Sequence, residues 1–406
     1  MPFRIALSGL NAASADLSTT ANNIANANTT GFKGSRAEFA DFFPVSAYGL
    51  ESNAIGGGTR LAKVAQQFSQ GAVNFTNNSL DLAISGNGFF TLSDNGSTVY
   101  TRNGAFGTDA NGYVVNSSNQ RLQINPPLAN GAGFNTGTLT DLQLSTADHP
   151  PAASTKISAN FNLRSDATPP ANATFDPNDA TSYNNTTSVT VYDSLGSAHT
   201  ANLYFVKGAT ANTWNMYTQI DGTAVGGAQT LAYSATGALT TPASGNITLP
   251  AYTPTTGAAD MNLTLALGST SQFGDTFSVS ELTQDGFATG RLTGLEISAD
   301  GVVQARYTNG QATPLGQLSL ANFDNPQGLQ QLGNASWGET HSSGTALRGQ
   351  PGTSNFGSIQ SGALESSNVD LTEQLVNMIT AQRNFQANAQ MIQTADQITQ
   401  TIINIR

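Results

Sequence analysis

IALSGLNAASADLSTTANNIANANTTGFK, residues 5–33, decides how the chain must be read. Its apolar residues fall at Leu7, Leu10, Leu17, Ala21 and Ile24, with Ser14 filling the missing turn. Steps alternating three and four make a heptad seam, so the spacing predicts an amphipathic helix shaped to meet other helices. Gly31 supplies its stop. Asn22, Asn23, Asn26 and Asn28 interrupt an otherwise ordinary pattern. Asn is a mediocre helix former, because its amide competes for backbone hydrogen bonds. An amide also donates and accepts without charge, so it tolerates enclosure once satisfied. Asn22 and Asn26, four apart beside the seam, therefore suit a packed lattice or the wall of a polar channel.

The other end mirrors this. VDLTEQLVNMITAQRNFQANAQMIQTADQITQTIINIR, residues 369–406, opens with Asp370 as N-cap and Glu373 at the third helical position. The seam runs Leu371, Leu375, Met378, Gln382, Phe385, Ala389, Ile392, then slips one step to Ala395, Ile398, Ile402, Ile405. No Pro or Gly interrupts it, and a continuous helix would be about 50 Å long. A second stripe, Gln386, Gln390, Gln393, Gln397, Gln400 and Asn404, lies about 100° round from Phe385, Ala389 and Ile392. It is expected to line a channel. Charge is nearly absent from both helices: only Arg4 and Asp16 before Asn28, and only Arg383 between Gln374 and Ala395. A helix with a free solvent face normally carries more. A two-helix stalk within one chain, or each helix as a lid on the β domain, is the alternative, but neighbouring copies of the chain are expected to enclose them.

The middle of the chain reads as β. FFTLSDNGSTVYTR is two alternating runs around Asn95-Gly96, the strongest short hairpin signal, and Asn111-Gly112, Asp300-Gly301 and Asn309-Gly310 repeat it. SVTVYDSLGSAHTANLYFVKGATANTWNMYTQI predicts a three-stranded meander. Pro150-Pro151 and TQDGFATG around Gly286 mark boundaries. The expected fold is multidomain and mainly β: two β domains, one inserted in the other, with long coiled-coil-like helices at the N- and C-termini that pair in an assembled filament. The expected parts are terminal helices over 1–30 and 366–406, a linker layer over 31–75 and 355–365, a discontinuous β domain over 76–149 and 286–354, and an inserted β domain over 150–285. Phe39, Phe42, Phe43 and Tyr48 would anchor the linker layer, or an ordinary aromatic loop.

Composition excludes several classes of function. Over 406 residues, 15 Lys and Arg stand against 26 Asp and Glu, giving a net charge of −11. That sign argues against nucleic acid and anionic membranes. Charged residues make up only 10% of the chain, well below the roughly 25% of an ordinary domain, which suits packing against like copies. There is no cysteine, so disulfides and thiolate metal sites are excluded. Residues 1–18 imitate a secretory signal, but Ser8, Gly9 and Asn11 break the apolar run, and cleavage is not expected. No run approaches the ~20 apolar residues that span a bilayer. His149, His199 and His341 lie apart in turn-like contexts, and no HExxH, GxSxG or Walker loop is present. They read as exposed or capping histidines. GNGFF, residues 86–90, reads as a turn into a strand, not a dinucleotide loop. No catalytic, cofactor or metal residue is expected.

The residues carry a family resemblance. SGLNAASADLSTTANNIANANTTGFK, with Asn22, Asn23, Asn26, Gly31, Phe32 and Lys33, and GALESSNVDLTEQLVNMITAQRNFQANAQ are similar to the terminal signatures of bacterial flagellar axial proteins. DLAISGNGFF, YTRNGAF and SVTVYDSLGSAHTANLYFVK resemble the hook branch of that family. The resemblance implies a subunit exported unfolded through the flagellar type III apparatus without a cleaved signal. It also implies assembly beneath a hook cap into a curved tube joining distal rod to filament as a universal joint. Terminal helices would form the inner tube, and β domains the outer layers. Junction proteins between hook and filament, the cap, the rod and the export apparatus are the implied partners, with the chain itself. A rod or hook-associated protein, a phage-tail or adhesin-like fibre, and a hydrolase with an unfamiliar site remain the alternatives.

Overall fold

The structure, a computed structural model describing residues 2–42, 56–128, 133–145, 147–353 and 355–404, forms a helix at each place where the three-four spacing occurs. These are α1 (Pro2–Ala25) and α2 (Leu371–Asn404). Phe43, Tyr48 and Ile405 lie outside the described residues. Asp370 caps α2, its Oδ1 accepting from the backbone N–H of Thr372 at 2.7 Å and Glu373 at 3.2 Å. The rest is mainly β. Two compact units result: Met1–Ser145 with Gly294–Arg306 and Ala312–Arg406, and Thr146–Thr293 with Tyr307–Gln311.

In the first unit, segments far apart in sequence interleave in one sheet. Ala312–Leu318 lies beside Arg121–Asn125, then Phe89–Asp94, Ser97–Thr101 and Ser336–Gly338. Asn95 at φ 50° and Gly96 at φ 95° turn the Phe89–Thr101 hairpin, the left-handed pair that such a turn demands. Leu82, Ile84, Phe90, Leu92, Leu122, Ile124 and Leu318 fill the core. Behind it Phe68, Phe89, Tyr100, Phe323 and Trp337 pack edge to face. A separate ribbon, β1 (Ser35–Asp41) against β2 (Thr59–Gln66), follows α1.

The helices pair antiparallel within one chain, a step earlier than the sequence reading placed it. Two contacts set the register: a Cβ on Gly9 would run into the Asn388 amide, and Asn23 Nδ2 donates to Gln374 Oε1 at 3.1 Å. The inward line of α1 is Ala6, Gly9, Ala13, Asp16, Thr20, Asn23, and that of α2 is Gln374, Met378, Ala381, Asn388, Ile392, Ala395. Both are heptad lines; that of α1 is turned from its large apolar residues, whereas Met378 and Ile392 sit on that of α2. Small side chains win this face because they let two backbones approach closely.

The second unit holds the meander Asn185–Tyr192, Ala198–Lys207, Thr213–Ile220. A second sheet is built on Lys156–Arg164, and Phe161, Phe205, Trp214, Met216 and Leu231 fill the core that the two sheets share. One histidine departs from expectation. His199 is buried, its Nδ1 2.6 Å from Asp221 Oδ2 and its Nε2 3.2 Å from Asp193 Oδ2. Burial would lower the imidazole, but hydrogen bonds to Asp221 and Asp193 outweigh it and raise it above its ordinary 6.5. Burial would raise Asp193, yet the Thr256 hydroxyl, the N–H groups of Ser197 and Leu195, and His199 hold it at about 2. His149 instead packs against Phe287 and Tyr307, and His341 is exposed.

The sign of the pH dependence follows. A raised imidazole contributes stability that is complete below its unfolded value and lost as pH climbs through the folded one. A lowered carboxyl contributes stability that is lost as pH falls through its folded value. The second unit is expected to be most stable between about pH 4 and 6.5. Trp214 fluorescence during thermal unfolding, in a Trp337→Phe background, reports on it. His199→Gln should flatten the decline above pH 6.5; a wild-type midpoint that stays level across that rise contradicts the clamp.

Candidate functional site: a buried ionic junction and the outward helix faces

The end of α1 and the start of α2 are fastened to the β unit at one point. After Ala25 the chain turns through Asn26–Thr29 hydrogen bonds into Gly31, at φ 70°. A side chain there would collide with the backbone of Asn103, so the tight passage requires glycine. The turn delivers Lys33 into the interior, 1% exposed. Its Nζ donates to Glu365 Oε1 at 2.6 Å and to the Ser69 carbonyl at 2.7 Å. Glu365 is wholly buried; its Oε2 accepts from Arg102 Nη1 at 3.2 Å, and its Oε1 also accepts from the Gly71 N–H at 2.9 Å. Arg102 Nη2 reaches the Gly86 carbonyl at 2.8 Å. Burial pulls Lys33 below its ordinary value, opposed by the Glu365 carboxylate, and it lowers Arg102 in the same way.

Two asparagines lock the surroundings. Asn23 is buried, its Oδ1 accepting from Ser35 N–H at 2.8 Å while its Nδ2 donates to the Ser35 carbonyl at 2.7 Å. Asn368 accepts from Gly34 N–H at 2.8 Å and donates to the Gln67 carbonyl at 2.7 Å. Asn23 is therefore selected by folding within one chain. Asn22 is exposed and Asn26 half-buried, its Nδ2 bonded to the Asn22 carbonyl at 3.0 Å; Phe32 is half-buried beside them.

Apart from Met378 and Ile392, the large seam residues point elsewhere. Leu7, Ala21, Leu371, Leu375, Phe385 and Ile398 are exposed, while Leu10, Leu17, Ile24, Met378, Ala389 and Ile392 are half-buried. Val376, Ile379 and Met391 add to this uncovered apolar surface. The stripe of Gln386, Gln390, Gln393, Gln397, Gln400 and Asn404 is exposed throughout, and Gln400 Nε2 donates to Asp396 at 3.2 Å. That carboxylate borders the amides, a charge the stripe as read from sequence did not include.

Glu365 and Arg102 were not singled out from sequence. The available signal was their isolation, since a lone charge in a stretch this poor in charge has usually been kept for a partner. Among the described residues no group of three His, Asp or Glu is placed to hold a metal ion, and no helix is long and apolar enough to cross a membrane.

Comparison with known proteins agrees along the whole chain. Family models match in four places: the flagella basal body rod protein over residues 3–33, the flagellar hook protein FlgE/F/G D1 domain over 83–165, the flagellar basal body protein FlaE D2 domain over 160–287, and the flagellar basal body rod FlgEFG protein C-terminal over 360–405. The flagellar hook protein FlgE of Escherichia coli is 42% identical over 413 residues, and that of Salmonella typhimurium 41% over 416, with 100% of every chain covered. That of Borreliella burgdorferi is 34% identical, with 98% of each chain covered. The crystal structure of Helicobacter pylori flagellar hook protein FlgE2 shares the fold, with a TM-score of 0.54 over 72% of this chain and all of that one, at 16% identity. Full-length identity of this order, with matching models at both termini and across the β units, means that the chain belongs to the flagellar hook protein family.

Proposed function

We propose that the chain is the structural subunit of a bacterial flagellar hook, self-assembling into a curved, flexible helical tube that joins rod to filament as a universal joint. The observation that carries this is the uncovered row Leu7, Leu371, Leu375, Phe385 and Ile398 on helices fastened to the β unit by a buried ion network. Apolar area of this kind is stabilised only when a further surface covers it, and contacts between unlike patches on like copies propagate as a helix. On this reading Leu10, Leu17, Ala21, Ile24 and Ala389 belong to the same assembly surface, while Met378 and Ile392 lie on the line along which the two helices meet and the side chain of Ile402 lies outside the described residues. The distal rod, the hook cap, the hook–filament junction proteins and the type III export apparatus are its partners. Export proceeds without a cleaved signal, and neither nucleic acid, membrane insertion nor catalysis takes part.

Electron microscopy of the concentrated protein tests this. Curved tubes are expected; straight rods would favour a rod component, the reading that the rod-protein models at both termini support. Monomers at high concentration would sink both. On this reading the exposed amide stripe lines the bore; its amides are uncharged, with Asp396 at their edge, and neither trap nor repel a passing chain. Gln393→Cys should react there with a small thiol reagent and Ile392→Cys should not. The reverse pattern puts the amides between subunits.

A further inference from the structure

The sequence holds six Asn-Gly pairs: Asn87-Gly88, Asn95-Gly96, Asn103-Gly104, Asn111-Gly112, Asn130-Gly131 and Asn309-Gly310. Asn is a chemically labile residue, and most so before glycine, where no side chain shields the next backbone nitrogen from the Asn amide carbon. Attack by that nitrogen has three requirements. The glycine N–H must be within reach of a base in solvent, no hydrogen bond must hold it, and the Asn side chain must be free to swing toward it.

The fold removes at least one of these from four of the five pairs that lie among the described residues. Gly88 and Gly104 are buried, out of reach of solvent base, and Asn103 Oδ1 is further held by the Ala105 N–H at 3.1 Å. The Gly112 N–H donates to the Asp109 carbonyl at 3.1 Å. The Gly310 N–H donates to the Tyr307 carbonyl at 3.0 Å. The Asn309 amide also donates to the Ala288 carbonyl at 2.8 Å and accepts from the Gln311 N–H at 3.1 Å. Asn130-Gly131 lies outside the described residues. Asn95-Gly96 differs from all of these. It is the two-residue tip between paired Asp94 and Ser97, and among the described residues the Gly96 N–H has no backbone acceptor. Both residues are exposed, and nothing lies within 4 Å of the space a side chain on Gly96 would take. The one restraint is an exposed hydrogen bond from Asn95 Nδ2 to Asp94 Oδ1 at 3.0 Å, which water can replace.

We propose that Asn95 is a site of spontaneous self-modification, converting through a cyclic imide with Gly96 to aspartyl and isoaspartyl forms. Base removes the Gly96 amide proton, and the nitrogen attacks Asn95 Cγ. The N–Cγ bond forms, the Cγ–Nδ2 bond breaks, and Nδ2 takes a proton from water and leaves as ammonia. Water then adds to either carbonyl of the imide and reopens the ring. Opening at Cγ restores the original main chain and leaves a carboxylate beside that of Asp94. Opening at the other carbonyl routes the main chain through the side chain, one methylene longer. A longer tip cannot keep the register that a two-residue turn sets. The hairpin supplies Phe90, Leu92 and Val99 to the core of the first unit, so the isoaspartyl form should loosen that unit.

Folded protein incubated at mildly alkaline pH, then digested and compared peptide by peptide in a mass spectrometer, tests this. The Asn95 peptide should convert at least about fivefold faster than those of Asn111 and Asn309, whose glycine N–H must first give up a hydrogen bond. Asn87 and Asn103 should be slower still. In urea all five should convert at similar rates, since glycine follows each of them. Folded protein in which another of the five leads, or in which all five keep the common rate seen in urea, would overturn the proposal. Trp337 pairs with Tyr100 of the hairpin, and its fluorescence in a Trp214→Phe background reads the consequence. The midpoint of thermal unfolding should fall as isoaspartate accumulates. Asn95→Gly, which takes left-handed backbone freely, should hold its midpoint steady through the same incubation. A midpoint that stays level while isoaspartate accumulates at Asn95 would overturn the structural consequence.

Discussion

Glu365→Gln is expected to cost the first unit about 3–5 kcal/mol, the largest single effect in this protein, because it strands the buried cations of Lys33 and Arg102 together. For a unit of this size that is roughly 6–20 °C in the midpoint of thermal unfolding. The transition followed at Trp337, in a Trp214→Phe background, should carry the loss. Lys33→Met combined with Glu365→Leu should cost less than the sum of the two single changes, since the pair leaves together and only Arg102 stays unpaired. The loss should also reach the helices. Lys33 and Glu365 are the last buried anchors before α1 and α2, so limited proteolysis of the variant should open the chain near residues 26–36. Wild-type protein should resist cutting there. A loss under about 1 kcal/mol would mean that the network contributes no net stability and that packing around Gly31 holds the termini.

Leu375→Ala with Ile398→Ala is expected to leave the monomer nearly unchanged and to disable assembly. Both side chains are about half exposed, at 46% and 56%, so the monomer has little to lose, and Ala keeps the helix. In a tube each would forfeit about 1 kcal/mol for the area still to be covered, and more for the cavity left behind. Together that is about 2–4 kcal/mol, or roughly thirtyfold to a thousandfold in critical concentration. Sedimentation at rising concentration measures it. The contrasting variant is Ala381→Leu, on the fully buried inward line. It should destabilise the α1–α2 pair in the monomer, because no room exists between the backbones there. Should Leu375→Ala with Ile398→Ala assemble at the wild-type concentration, these residues face solvent in the tube and the seam lies elsewhere.

Local pattern carried a great deal of this protein. The three-four spacing, with Asp370 before α2, was sufficient for two terminal helices, because period and capping act within a few residues. Asn95-Gly96 was sufficient for its hairpin, because few residue pairs adopt two left-handed conformations in succession. The same short-range signals, with the terminal signatures, were enough to recognise the family. Pairings between distant residues were not legible. Lys33 and Glu365 are 332 positions apart, and nothing near either one says which opposite charge will be brought to it. His199 looked like a turn residue until the fold set Asp193 and Asp221 on either side of it. Which faces the two helices turn to each other was not legible for a related reason. Hydrophobic spacing ranks large apolar residues first, whereas two helices held by one junction meet where their backbones come closest. That face belongs to Ala6, Gly9, Ala13 and Ala381, and the leucines are left outside it. Spacing along a chain determines what an element is; which of its faces meets which neighbour depends on distances across the fold, and those exist only once the chain has closed on itself.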